Sequence, residues 1–137
     1  MPSKKEASKK DANFCAKFNL PTTERISEDF SCAINRDILL HGRMYVSAGY
    51  ICFYSKIFGH RTMEVMPFRS ITAIEKKNTS LFIPNAIEIT LRPDTARLNT
   101  ARHFFASFLH RDITIARLRD MVRPALRDTP AAAPLAS

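Results

Sequence analysis

Residues 29–59, DFSCAINRDILLHGRMYVSAGYICFYSKIFG, decide the fold that the sequence predicts. Apolar side chains alternate with smaller or polar ones in three segments, at 31–36, 38–47 and 50–57. A period of two in segments rich in aromatic and β-branched residues is typical of half-buried antiparallel strands. The breaks at 35–37 and 48–49 are short enough to be hairpin turns. The pattern therefore predicts three consecutive strands.

Four further segments continue this pattern, at 62–66, 70–77, 86–91 and 101–109. The alternation predicts inward faces of Met63 and Val65 in the fourth strand, and of Phe104, Ala106 and Phe108 in the seventh. The same alternation places His41 and His103 on outward faces, and Glu64 as well.

The period changes after residue 112, where apolar residues recur every three or four positions at Ile115, Leu118, Val122 and Leu126. This spacing predicts an amphipathic helix. Asp112 suits its first turn, where a carboxylate meets free backbone N–H groups. Pro124 is expected to kink or end it.

Seven short strands followed by one helix indicate a mainly β fold with a C-terminal α-helix. An α/β fold would need helices between the strands. We expect the sheet to curl into a partly open seven-stranded barrel, capped by the helix, as in pleckstrin-homology (PH)-like domains. Residues 1–12 are predicted to be a disordered basic leader, 13–128 the domain, and 129–137 a disordered tail. Within the domain, 13–20 are predicted to form a short apolar clip.

The composition limits the function classes. The 137 residues fit one domain, and 21 Lys and Arg against 13 Asp and Glu give a net charge of +8. That charge favours anionic partners, although a solvated positive face is an ordinary alternative. No apolar run reaches the roughly 20 residues that cross a bilayer, and no secretory signal opens the sequence, so a cytoplasmic location is expected.

The motifs in these strands resemble a GRAM domain, most closely those of the Aster and Lam sterol-transfer proteins of membrane contact sites. The matching motifs are LP at 20–21, FSCA at 30–33, GRMYVS at 42–47, ICF at 51–53, FG at 58–59, PNAI at 84–87, and SFL at 107–109 followed by RD at 111–112. The resemblance implies a PH-like fold and peripheral binding to anionic lipids, phosphatidylserine or phosphoinositides, on the cytosolic face of membranes. Sterol transfer and tethering are not implied, because neither a sterol-transfer domain nor a transmembrane helix follows in this sequence.

Strand order supplies an independent prediction of the lipid site. In an up-and-down meander, the first, third-to-fourth and fifth-to-sixth connections leave the barrel at one end. That end would gather basic residues beside loop-tip apolar ones, as a peripheral membrane site requires. The candidate lipid-binding residues are Arg36, Lys56, Phe58, Arg61, Lys76, Lys77, Leu81 and Phe82.

Each candidate has a structural alternative. Phe58 and Phe82 are alternatively core residues folded over the barrel mouth, and Lys76 and Lys77 a solvated strand end. Arg111 and Asp112 are expected to be structural, locking the helix to the sheet.

Enzymatic and metal-dependent functions have little support. The four histidines are scattered, without a carboxylate or thiol at a spacing that builds a triad or metal site, so no catalytic residue, metal or cofactor is predicted. The main alternative is a PH-like module that binds a protein or peptide between the helix and an adjacent strand, with the Arg-rich helix as the interaction face. Nucleic-acid binding is disfavoured because no aromatic stacking platform is evident. The sequence does not indicate an oligomeric state.

Overall fold

The structure, a computed structural model, describes residues 8–80, 82–93 and 102–127. The predicted seven strands and C-terminal helix are confirmed, and an N-terminal helix precedes them. In chain order the elements are α1 (Lys9–Phe18), β1 (Glu28–Asn35), β2 (Leu39–Val46), β3 (Tyr50–Ile57), β4 (His60–Pro67), a 3-10 turn (Phe68–Ser70), β5 (Ile71–Thr79), β6 (Ile83–Leu91), β7 (Arg102–Ala106) and α2 (Arg111–Arg127).

The strands form one antiparallel sheet in the order β4-β3-β2-β1-β7-β6-β5. β7 pairs with β1, with Ile34 opposite Phe105, so the chain returns to its first strand and β4 and β5 become the two edges. The rings of Phe53 and Phe105 meet inside at a centroid distance of 5.5 Å. The arrangement is a half-open barrel around one apolar core.

The helix α2 covers this core with the predicted stripe. Ile115, Leu118 and Val122 are buried in the same cluster as the inward side chains of the sheet. The helix continues through Pro124 to Arg127, so of the two expected effects of this proline, a kink or an end, the helix does not end there.

The predicted inward faces of two strands are only partly right, since Ala106 and Phe108 are buried but Phe104 is partly buried and Met63 exposed. In β7, Phe105 is fully buried and Phe104 only partly, because the pairing of Phe105 with Ile34 and Ile87 sets the face. Phe108 is nevertheless buried, since Ser107 adopts a left-handed conformation (φ 65°) after the strand has ended at Ala106. A single left-handed residue breaks the period of two on which the prediction relied.

In β4, the inward face carries Glu64 and Met66, which lie opposite Phe53 and Ile51 of β3. Met66 is fully buried, whereas Met63 is 42% exposed. The pairing register with β3, which the sequence does not display, therefore assigns the faces. His103, predicted to face outward, shares the alternation of Phe105 in β7 and lies on this inner side, within ion-pair distance of Glu64.

The helix α1 covers the outer face of β2 and β3. It begins at Lys9, where the Ser8 Oγ accepts a hydrogen bond from the Asp11 N–H at 3.0 Å. Residues 9–12 are thus helical rather than disordered, while 1–7 and 128–137 lie outside the described residues. Phe14, Cys15, Phe18 and Cys52 form a second apolar cluster, which explains the aromatic residues on that strand face.

The three cysteines are free thiols in buried positions. Burial raises the pKa of the Cys32 and Cys52 thiols to about 12. It also raises the pKa of Cys15. Because the thiolate is the reactive form, these cysteines act as small core residues.

Candidate functional site

The connections between strands leave the sheet at two ends, and this separates the candidate lipid-binding residues into two groups. β7 runs antiparallel to β1, β6 antiparallel to β7, and β5 antiparallel to β6. By this alternation, the β1/β2 and β3/β4 turns lie at one end of the strands and the β5/β6 turn at the other. The predicted single surface is wrong, because a meander would place β5 beside β4, whereas these strands are the two edges of the sheet.

The first group, which we call the hairpin rim, consists of Arg36, Lys56, Phe58 and Arg61. Phe58 and Gly59 form a two-residue turn in which both residues have positive φ, 52° and 81°. Such turns favour Asn and Gly, and a bulky residue there is strained. Phe58 is also 93% exposed, so its side chain is not a core residue folded over the barrel mouth.

Two basic residues flank this turn in direct opposition. Lys56 and Arg61 are cross-strand partners in the β3–β4 pairing, an arrangement that destabilises a hairpin by like-charge repulsion. Both are exposed, and neither takes part in an ion pair with any residue in the described part of the chain. Ile38 and Leu39 of the neighbouring hairpin add apolar surface, with exposures of 61% and 42%.

Arg36 differs from the other rim cations because it is already paired. Its Nη2 lies 2.5 Å from the Glu64 Oε2, and the His103 Nε2 lies 3.6 Å from the Glu64 Oε1. Burial lowers the pKa of His103; Glu64 opposes this shift and Arg36 adds to it. The three side chains link β7, β4 and the β1/β2 turn across the barrel mouth. Sequence reasoning missed Glu64 and His103, since only the strand register turns them inward.

The second group consists of the remaining candidates, Lys76, Lys77, Leu81 and Phe82. Lys76 and Lys77 lie beside the first turn of α2. Lys76 is 3.6 Å from the Asp112 carboxylate and Lys77 is 3.7 Å from that of Glu88. Phe82 is 83% exposed, which excludes the core alternative for it as well. Leu81 lies outside the described residues.

Arg111 joins this end of the sheet to α2, as expected. Its Nε donates to the Asp112 Oδ1 at 2.7 Å, and its Nη1 donates to the Lys77 carbonyl at 2.7 Å and the Ala86 carbonyl at 3.3 Å. The hydrogen bond from Arg111 to the Asp112 carboxylate and the interaction with Lys76 lower the pKa of Asp112. The pair is a structural lock between the β5/β6 hairpin and the helix.

A peptide extending the sheet beside α2 would meet an edge strand on which α2 already binds two carbonyl oxygens. Arg119 donates from Nη2 and Nε to the Ile74 carbonyl, at 2.7 and 3.0 Å. Together with Arg111, it binds carbonyl oxygens of the edge strand β5. Arg119 is therefore a clamp between helix and sheet and not a free interaction residue.

Within the residues that the structure covers, no three His, Cys, Asp or Glu side chains come together as a metal site. None of the helices in those residues is long and apolar enough to cross a bilayer.

Comparison with known proteins gives the family. The model of the GRAM domain matches residues 12–126, which is most of the chain. The chain belongs to the GRAM domain family. It is 45% identical over 108 residues to a protein of Schizosaccharomyces pombe described as an uncharacterized membrane protein, and 40% identical over 111 residues to human Protein Aster-B.

These matches cover 78% and 81% of this chain but only 13% and 14% of the two relatives. The chain therefore spans about one seventh of the length of these relatives. Among solved structures, it superposes on the complex of human RhoA with the DH/PH fragment of PDZRHOGEF with a TM-score of 0.57 at 13% identity. That match covers 86% of this chain and 34% of the other, and it shows the PH-like fold.

Proposed function

We propose that this GRAM domain binds anionic phospholipid membranes peripherally, on their cytosolic face, through the hairpin rim. Phosphatidylserine and phosphoinositides carry the head groups that its cations suit. The observation that supports this most is the β3/β4 turn, where a strained and exposed Phe58 stands between two opposed cations that have no ion-pair partner in the described part of the chain. Each feature costs the isolated fold stability, and unfavourable local features of this kind concentrate at functional sites.

A membrane would turn these costs into favourable interactions. Anionic head groups would neutralise Lys56 and Arg61, each cation contributing about 1 kcal/mol near such a surface. Insertion of Phe58 into the interfacial region would remove its side chain from water, which contributes about 1.5–3 kcal/mol when burial is complete. The sum suits reversible docking without a lipid anchor.

Charge reversal at the rim tests the proposal. We expect Lys56→Glu/Arg61→Glu to reduce binding to vesicles of phosphatidylcholine with phosphatidylserine about 30-fold or more, since two favourable cations become repulsive. Vesicle flotation at low salt measures the bound fraction. Lys9→Glu/Arg69→Glu is the matched control, because it makes the same change in net charge at exposed residues away from the rim. Equal losses in both variants would show that only net charge matters and would contradict a rim site.

Phe58→Asn separates membrane binding from stability. Asn is favoured at a left-handed turn position, so we expect thermal unfolding to occur at the same or a higher temperature. Binding to the same vesicles should fall about tenfold, because the inserted aromatic side chain is lost. A variant that is more stable yet binds as tightly as the wild type would exclude Phe58 from the membrane contact.

A further inference from the structure

Four large apolar side chains are exposed at the end of the sheet opposite the hairpin rim. They are Phe82, Ile83, Leu109 and Ile113, with exposed fractions of 83, 50, 87 and 62%. We call them the helix-side patch. Single exposed apolar residues are ordinary in soluble proteins, but a cluster on neighbouring elements marks an interaction surface.

The elements that carry the patch are held together by hydrogen bonds. The Phe108 N–H donates to the Asn85 carbonyl at 3.1 Å, joining the turn that contains Leu109 to the start of β6. Arg111 binds the carbonyls of Lys77 and Ala86, which joins the first turn of α2 to the β5/β6 hairpin. A cavity of about 280 Å³, lined by residues that include Pro84 and Ile113, lies between the hairpin and the helix. The patch therefore projects from an ordered scaffold.

Within the ranges that the structure describes, each of the three cations around the patch has a carboxylate within ion-pair distance, unlike Lys56 and Arg61 of the hairpin rim. Lys76 faces Asp112 and Lys77 faces Glu88 within ion-pair distance, and Arg111 also contacts Asp112. The rim cations Lys56 and Arg61, in contrast, oppose each other without a carboxylate partner among the described residues. Because Lys76 and Arg111 share Asp112, only one positive charge remains in excess among these side chains of the described part of the chain, and the exposed apolar side chains supply most of the attraction.

We propose that the helix-side patch inserts into the interface of a second, weakly charged phospholipid bilayer, so that one domain bridges two membranes. The side chains protrude from the tips of a hairpin and a turn and from the first turn of a helix, as interfacial insertion requires. Cations that already have carboxylate partners fit a zwitterionic phosphatidylcholine surface, while the rim takes the anionic one. The bridging function rests on the proposed function of the rim, but binding of the patch to neutral vesicles does not.

The experiment measures binding to each vesicle type and then bridging. The difference between the wild type and the patch variant in flotation with phosphatidylcholine vesicles alone reports the patch, and flotation with vesicles that also contain phosphatidylserine reports both surfaces. Bridging is the capture of fluorescent phosphatidylcholine vesicles on beads coated with phosphatidylserine-containing vesicles. The patch variant is Phe82→Ser/Leu109→Ser, and Lys56→Glu/Arg61→Glu is the rim variant. The patch variant replaces two exposed side chains, and an unchanged thermal unfolding curve confirms that it folds.

We expect the wild type to bind neutral vesicles with little change at about 0.5 M salt, because apolar insertion is not screened. The patch variant should lose neutral binding and bridging about tenfold or more, while keeping anionic binding within about threefold. The rim variant should keep neutral binding and lose bridging.

Two results would overturn the inference: wild-type protein that does not bind neutral vesicles, or a patch variant that binds them as well as the wild type. A wild type that is dimeric in light scattering, with a monomeric patch variant and no neutral binding, would assign the patch to self-association instead. Failure of the rim proposal would appear separately, as anionic binding that the rim variant does not weaken.

Discussion

Gly42→Ala is expected to destabilise the domain by about 3 kcal/mol, at the upper end for inserting one methyl group into a packed site. A Cβ at residue 42 would lie 2.1 Å from the Tyr54 carbonyl oxygen and 2.9 Å from the Ser55 Cβ. The first of these atoms belongs to the backbone of β3 and cannot move aside without disturbing the sheet. Glycine in a strand interior is therefore required here by the close approach of a neighbouring backbone.

The local hydrogen bonds show why the strands approach so closely. The pairing of β2 with β3 runs from Val46 to Arg43 and includes no pair beyond it toward Gly42. The Ser55 Oγ donates to the His41 carbonyl at 2.6 Å in the next part of the strands. A side-chain hydrogen bond thus joins the two strands where their backbone pairing has ended, on the side of the β1/β2 turn.

Urea unfolding followed by circular dichroism would measure the effect, with Gly49→Ala as the matched control. A Cβ at Gly49 would meet only the Glu24 carboxylate, at 3.7 Å or more, and its φ is not positive. We expect that control to change the free energy of unfolding by about 1 kcal/mol or less. Similar effects of the two substitutions would contradict the close contact at Gly42.

The sequence was sufficient for the seven strands and the C-terminal helix because their periods are clear, but not for the bounds of α1. Alternation in 50–57 and 86–91 and the three- and four-residue spacing after 112 each matched an observed strand or helix. Ile71 and Ile74 are both buried although three residues apart, because the β5–β6 pairing shifts register between Ile71 and Ala73. The shift in register lets both isoleucines reach the core, whereas strict alternation along the strand would put them on opposite faces.

The site was less predictable because it depends on which strands are neighbours. Lys76 and Phe58 look equivalent in sequence, each in or near a loop among basic and apolar residues. The pairing of β7 with β1 places their hairpins at opposite ends of the strands. The contact between Glu64 and Arg36 could not be predicted for the same reason. The two residues are 28 positions apart in the sequence and meet only because β4 lies across the barrel mouth.

Phe105→Ala is expected to cost about 3–5 kcal/mol, the usual range for removing a fully buried aromatic side chain. Phe105 has no exposed surface, and its ring packs 5.5 Å from that of Phe53. The centroid of its ring also lies 6.4 Å from that of His103, so Phe105 helps to position the contacts among Arg36, Glu64 and His103. Its loss would leave a cavity that β1, β6 and β7 cannot close without breaking their pairing.

Phe104→Ala is the matched control, because it removes the same side chain from the adjacent residue on the other face of β7. Phe104 is only partly buried, so we expect a loss of about 1 kcal/mol. Urea unfolding of the two variants compares the faces directly. If Phe104→Ala were the more damaging substitution, the inward face of β7 would be the one that simple alternation predicts. The register of Phe105 with Ile34 and Ile87 would then be wrong as well.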